Sequence, residues 1–365
     1  MTVILLTIFC LLMITQVCFY LMLSKPLLFT EKAVRTERNS VSVILAARNE
    51  RENLLSLLPA LAKQNHSDFE VIIVNDRSED DTSELVNDYV SRCNHFHVIN
   101  IDTLPDGWNG KKHAIHKGIA MAKNEVLLFT DADCLPKSST WITEMTQPFS
   151  KGTDIVLGYS PYQVQPGFLN SFIQFETLFV GMQYLGFAHR GKPYMGVGRN
   201  MAVRRSQYDL SLLDQMSGLT GGDDDLIINE LANSTNTKVI TSPSSQTVSI
   251  PETSWDNYFK QKIRHLSVGK HYQKKDRTLL GVFTLSFLLG WIFFFSLLVS
   301  AINPYFILTV YALRSLSFYI IFARIGQKLE SPVKLWALPV LDLCYSIYYP
   351  LVGIRALLTK NIQWK

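Results

Sequence analysis

The apolar run Val126-Leu127-Leu128-Phe129 stops abruptly at Thr130-Asp131-Ala132-Asp133-Cys134-Leu135-Pro136, and no other stretch limits the fold as tightly. An unbroken apolar strand is covered on both faces and belongs inside a parallel sheet. Alternate strand residues point the same way. If strand geometry persists to the tip, Asp131 and Asp133 therefore project together past the carboxyl edge. Open α/β sheets bind their ligands at that edge. Two close carboxylates suit a hard divalent cation, and such a cation can neutralise a diphosphate leaving group. A solvated turn that happens to hold two aspartates is the competing reading.

The surrounding sequence supplies the sheet. Strands are expected at Val41–Ala47, Phe69–Val74, His97–Ile101 and 125–130, with helices over Glu52–Gln64, Thr82–Cys93 and Lys111–Ala122 between them. This alternation predicts an α/β fold: a doubly wound, mixed but mainly parallel sheet over 39–254. Phe168, Phe172, Phe175 and Phe179 recur at helical spacing, on either a core helix or one lying on a membrane.

Both ends of the chain are apolar. Charged residues make up 18% of the sequence, against roughly 25% in ordinary soluble domains. Residues 3–23 carry no charge and are long enough to span a bilayer. They lack the basic start and small-residue cleavage site of a signal peptide, so 1–24 is expected to be an uncleaved anchor. Lys25, Lys32, Arg35 and Arg38 follow, which places the next segment in the cytoplasm. The segment 255–278 mixes aromatics with Lys260, Lys262, Arg264, Lys270, Lys274, Lys275 and Arg277 and reads as interfacial. Three apolar segments follow within 279–358, at about 279–302, 305–323 and 335–358. The link carrying Arg324, Lys328 and Lys334 is expected to be cytoplasmic. Pro339 and Pro350 interrupt the last segment, and Arg355, Lys360 and Lys365 stand at its far end, so it could re-enter rather than cross. Arg314 and Asp342 fall at similar depths in neighbouring segments and are expected to pair, with an anionic lipid headgroup as the rival partner for Arg314. The net charge of +4 is mild and sits beside apolar runs, which points to a membrane surface and away from nucleic acid. The five cysteines show neither metal-ligand nor disulfide-framework spacing. The expected location is a multi-pass protein of the cell (inner or plasma) membrane with a cytoplasmic catalytic domain.

Polar pieces stand around the aspartates in a fixed order. Ala47-Arg48-Asn49-Glu50 follows the first strand, and Asn75-Asp76-Arg77 begins a polar run after the second. Gly107-Trp108-Asn109-Gly110-Lys111, Gly221-Gly222-Asp223-Asp224-Asp225-Leu226 and Gln261-Lys262-Ile263-Arg264-His265 complete the set. In this order the pieces resemble glycosyltransferase family 2, whose membrane-associated, inverting, nucleotide-sugar-dependent enzymes have a GT-A fold. The resemblance runs from about Ser40 to Tyr272, and the layout is similar to that of bacterial transferases acting on lipids or carotenoids.

The resemblance implies roles residue by residue. Ala47 and Glu50 would line the nucleotide pocket, Asp76 would bind the nucleobase, and Lys111 would lie near the nucleotide or diphosphate. Asp133 would hold Mg²⁺ or Mn²⁺, with Asp131 toward the ribose and helping to place the metal. The catalytic base falls on Asp223, three residues before Leu226, but Gly222 replaces the usual preceding Glu, which leaves Asp224 as an alternative. Gln261 and Arg264 match the acceptor and diphosphate motif, with His265 where Trp is usual. That change favours a single transfer over a processive synthase. Gly196-Val197-Gly198-Arg199-Asn200-Met201 is either a plain loop or the family's segment near donor sugar and acceptor. The implied partners are a UDP- or GDP-type sugar donor, a lipid-type acceptor and the membrane. The alternatives are a processive polysaccharide synthase and a non-catalytic nucleotide-sugar-binding scaffold.

Overall fold

The computed structural model describes residues 2–28 and 39–359. The charges expected at Lys32, Arg35, Arg38, Lys360 and Lys365 lie outside the described residues. In chain order the first elements are α1 (Thr2–Leu28), β1 (Val41–Ala47), α2 (Arg51–Ala62), β2 (Phe69–Asp76), α3 (Thr82–Arg92), β3 (Phe96–Ile101) and α4 (Gly110–Met121). Next come β4 (Val126–Phe129), β5 (Cys134–Pro136), α5 (Trp141–Thr146), β6 (Ile155–Leu157), α6 (Phe168–His189), β7 (Met201–Arg204) and α7 (Leu210–Gln215). The last are α8 (Asp225–Leu231), β8 (Thr237–Val239), β9 (Thr247–Ser249), α9 (Trp255–Ser267), α10 (Lys274–Val299), α11 (Pro304–Lys328) and α12 (Leu338–Leu358). They fall into two compact units.

Among the described residues, one unit comprises 39–163 and 187–251. Its seven-stranded sheet has the order β3-β2-β1-β4-β7-β6-β8. β1 pairs parallel with β2 and β4, and β2 pairs parallel with β3, as the alternation predicts. Beyond β4 the sheet turns antiparallel through β7 and β6, and β8 joins β6 parallel, so the sheet is mixed. β5 and β9 form a small antiparallel ribbon. Val41, Val43, Val71, Ile73, Val126 and Leu128 are buried in one apolar cluster with Leu54, Leu57, Leu58 and Leu61 of α2. On α4 the close approach to the sheet requires Gly118, where a Cβ would stand 2.7 Å from Ile44 Cγ2.

The other unit comprises Met1–Phe29, Val164–Gly186 and Glu252–Lys360. α1, α10, α11 and the stretch Leu335–Leu358 are long and apolar enough to cross a membrane. α6 is a core helix of this unit: Phe172, Phe175 and Phe179 are buried, and Phe175 packs against Phe318, Phe322 and Tyr345. α12 runs unbroken through Pro350.

Arg314 and Asp342 do pair. Arg314 Nη1 donates to Asp342 Oδ2 at 2.6 Å, and Nη2 donates to Oδ1 at 3.2 Å. Arg314 Nε donates to Gln16 Oε1 at 2.7 Å, Nη2 also donates to the Tyr20 hydroxyl, and Gln16 Nε2 donates to the Ser286 carbonyl at 2.7 Å. One buried polar network thus joins α1, α10, α11 and α12. It meets the rule that a deeply buried charge be both paired and hydrogen-bonded.

Candidate active site

Strand geometry does not persist to the aspartates. β4 ends at Phe129, and the chain turns so that the Cys134 amide donates to the Asp131 carbonyl at 3.1 Å. The turn gathers what an extended strand would have aligned. One ligand atom each from Asp131, Asp133 and Cys134 lies within 4.8 Å of the others. Burial, with Asp131 beside it, pushes the Asp133 carboxyl up. The Cys134 thiol is buried, 2.9 Å from Ser249 Oγ, and burial together with Asp133 and Asp131 raises it well above the usual thiol range. Hard divalent cations take oxygen in preference to sulfur. Two carboxylates remain, and hard oxygen donors of this kind fit Mg²⁺ or Mn²⁺.

Lys111 stands in the first turn of α4 and joins this turn to a distant segment. Its Nζ lies 2.9 Å from Asp131 Oδ1 and 3.3 Å from Asp223 Oδ2. Burial opposes the ammonium charge, but Asp131, Asp223 and Asp224 outweigh it and raise the Lys111 pKa well above its usual value. Burial likewise opposes ionisation of Asp223, and Lys111 and Lys112 outweigh it, so this carboxyl sits below its ordinary range. Lys111, Thr130, Asp131, Gly198, Asp223 and Asp224 line one pocket. The Thr130 hydroxyl is buried there without a protein partner.

The two adjacent aspartates have different surroundings. Asp224 Oδ2 accepts from the Gly198 amide at 2.6 Å, and Oδ1 accepts from the Asp225 amide at 2.8 Å, at the start of α8. Backbone groups thus hold both of its oxygens, and burial with Asp223 raises its pKa. Asp223 faces Lys111 and the pocket instead. Gly221 and Gly222 have φ of +84° and +80°. Any side chain is strained there, which accounts for the missing Glu at position 222.

The remaining expected residues are placed as follows. Ala47 is fully buried and does not line this pocket. Neither does Glu50, whose amide donates to Thr82 Oγ1 at 3.0 Å and helps sew the β1 turn to the β2 turn. Asp76 is fully buried, with Oδ1 and Oδ2 accepting from Arg77 Nε at 2.8 Å and Nη2 at 2.9 Å. Gln261, Arg264 and His265 stand on α9, which belongs to the other unit; the first two are half-buried and His265 is exposed. In the segment 196–201, Gly198 serves the pocket. Asn200 is a structural clasp that donates to the carbonyls of Tyr159 and Ser245 and accepts from Trp141 Nε1. The sequence reading held Arg199 only within the segment 196–201 and did not single out Lys112. Arg199 donates to the Tyr162 hydroxyl at 2.7 Å and lies over that ring, and Lys112 is wholly buried. The doubled lysine after Gly110 was a visible signal for the second.

Comparison with known proteins agrees with this geometry. Residues 42–210 match the sequence profile described as "Glycosyl transferase family 2". A 4,4'-diaponeurosporenoate glycosyltransferase of Staphylococcus haemolyticus is 32% identical over 116 residues, covering 31% of this chain and 30% of that protein. The enzyme of the same name from Staphylococcus aureus is 27% identical over 165 residues, covering 44% of this chain and 42% of that protein. The chain thus spans less than half the length of these curated relatives. A mannosyltransferase of Pyrobaculum calidifontis, solved in complex with GDP-Man and Mn²⁺, superposes with a TM-score of 0.52 at 17% identity, covering 95% of this chain and 97% of that one. At that identity the likeness establishes the fold. The sheet order, the clustered acidic turn and the matched profile agree, and residues 42–210 are a glycosyltransferase family 2 domain with the GT-A fold.

Proposed function

We propose that the protein is an inverting glycosyltransferase that moves a sugar from a UDP- or GDP-type donor to a lipid-type acceptor at the cytoplasmic face of a membrane. One observation carries the reading. Lys111, Asp131 and Asp223, from three separate parts of the chain, converge on a single pocket beyond the end of β4, with Asp133 beside Asp131. Asp133 and Asp131 would hold Mg²⁺ or Mn²⁺, which when bound neutralises the diphosphate. Asp223 takes the proton from the acceptor hydroxyl as the new glycosidic bond forms, a role that contributes about 10²–10⁴-fold. It stays ionised near neutrality because Lys111 beside it, and the charge of Lys112 further off, favour the carboxylate. Attack opposite the leaving diphosphate inverts the anomeric carbon, and no second carboxylate nucleophile is needed. Asp224 keeps the base in place through Gly198 and the start of α8. The apolar helices and the carotenoid-acid name carried by the relatives support a lipid-soluble acceptor.

The test uses the full chain in detergent or nanodiscs with panels of UDP- and GDP-sugars and a membrane lipid extract. The expected result is metal-dependent release of nucleoside diphosphate, lost in Asp223→Asn while nucleotide binding is kept. Full turnover in Asp223→Asn, or nucleotide binding without release from any donor, overturns the reading.

A further inference from the structure

Lys112 does not line the pocket, yet its side chain is fully buried. Lysine is almost never fully buried unless paired. Here the ammonium donates to two main-chain carbonyls, Leu219 O and Gly221 O, each at 2.5 Å. Both belong to the loop between α7 and Asp223. The same loop is held once more at its start, where the Asn109 amide donates to the Ser217 carbonyl at 2.7 Å. The beginning of α4 therefore grips the loop at both ends. The loop needs this grip. It ends in Gly221 and Gly222, both in the left-handed region, and glycines restrict a chain least.

We infer that Lys112 is a positioning residue: it clamps the loop 217–222 through its carbonyls and so fixes where the Asp223 carboxylate stands in the pocket. The two neighbouring lysines divide the work. Lys111 meets the Asp223 side chain, and Lys112 holds the backbone that delivers it. The inference deepens the glycosyltransferase reading and rests on it for its kinetic consequence. A misplacement of about 1 Å can lower turnover by about 10²-fold. Donor binding does not depend on the loop in the same way, because Asp131 and Asp133 lie on the β4 side of the pocket.

The experiment compares Lys112→Met, Lys112→Arg and Gly221→Ala in the full-length protein. Lys112→Met fills similar space without a donor. Gly221→Ala strains the same loop and leaves the lysine intact, so it decides the matter if Lys112→Met fails to fold. Three quantities are read: hydrogen exchange of the 217–224 amides, binding of Mn²⁺ with UDP or GDP, and kcat and KM for the donor. In Lys112→Met the loop amides should exchange at least roughly tenfold faster, the equivalent of losing one bond to a charged group. Amides of β1 and β4 should be unchanged, and kcat should fall by about 10²-fold with nucleotide binding kept. Lys112→Arg should restore part of both losses, and Gly221→Ala should reproduce the fall in kcat. Unchanged loop exchange, faster exchange throughout the domain, or wild-type kcat in Lys112→Met or in Gly221→Ala overturns the inference. If the wild-type protein turns over no donor, the glycosyltransferase reading fails on its own, and the exchange measurement still reports on the clamp.

Discussion

Removing Asp342 should destabilise the helical unit more than removing Asp342 and Arg314 together. In Asp342→Ala, Arg314 Nη1 loses its carboxylate bond at 2.6 Å and Nη2 loses one of two, while Gln16 and Tyr20 keep theirs. Each lost bond to a charged group is worth about 1.5–3 kcal/mol. That agrees with about 3–5 kcal/mol for breaking one side of a buried ion pair. Helices separated in a lipid-like medium find other partners, and interhelical bonds measured there average only about 0.6 kcal/mol. The expectation is therefore the lower end, about 3 kcal/mol. Replacing both residues, as Arg314→Met with Asp342→Leu, removes the stranded charge. It leaves Gln16 Oε1 and the Tyr20 hydroxyl short of a partner, at about 1 kcal/mol each. The double variant should thus recover about 1 kcal/mol or more relative to Asp342→Ala, and exchanging the two residues should recover more still. Unfolding of the full chain in mixed micelles of rising SDS content, followed by tryptophan fluorescence, measures the three variants. A double variant no more stable than Asp342→Ala would refute the reasoning.

Other perturbations test the soluble unit. Asp224→Asn should keep a reactive base but loosen the α8 start and the Gly198 contact, so it should lower the melting temperature and leave measurable turnover, unlike Asp223→Asn. Gly198→Ala would put a Cβ 3.1 Å from Asp224 Oδ2, and the forced shift should lower kcat with little change in nucleotide affinity. Cys134→Ser should leave the metal requirement and the Mn²⁺ affinity nearly unaltered, because Mg²⁺ and Mn²⁺ favour the carboxylate oxygens of Asp131 and Asp133 over the sulfur beside them. Asp223 titrates below its unfolded value of about 3.9. The unfolded chain therefore binds more protons through that window. The stabilisation from this carboxylate is present above pH about 4 and is lost as pH falls through the folded value. The acid limb of kcat/KM should lie below pH about 4 and move upward in Lys111→Met.

The parallel half of the sheet was legible because its strands carry unbroken apolar runs, 43–47, 71–74 and 126–129 among them. Val41–Ala47 and Phe69–Asp76 announce themselves without reference to their neighbours. β6, β8 and β9 have three residues each and β7 has four, too few to establish a period, so their pairing had to come from tertiary contacts. The site residues were legible as a set and less so as a geometry. A two-residue period suggested that Asp131 and Asp133 point together along a strand, but the turn after Phe129 brings them together instead. Gly222 looked like a defect in a motif, and its φ of +80° turns it into a requirement. Lys112 was not singled out, although it doubles Lys111, because a lysine on a helix reads as solvated unless the loop that covers it is known. The Arg314–Asp342 pair could be foreseen from depth alone, whereas Gln16 and Tyr20 could not, since they come from the far end of the chain.

That last separation bears on how the protein is made. Gln16 and its partner Arg314 lie 298 residues apart. At synthesis rates of about 5–20 residues per second, α1 is complete roughly 15–60 s before the guanidinium it needs exists. Throughout that interval the Gln16 amide and Tyr20 hydroxyl must be shielded by other means, whether water, lipid headgroups or an insertion factor. The helical unit can close only when the last quarter of the chain arrives. Its assembly should therefore be a late, single event rather than a helix-by-helix accretion.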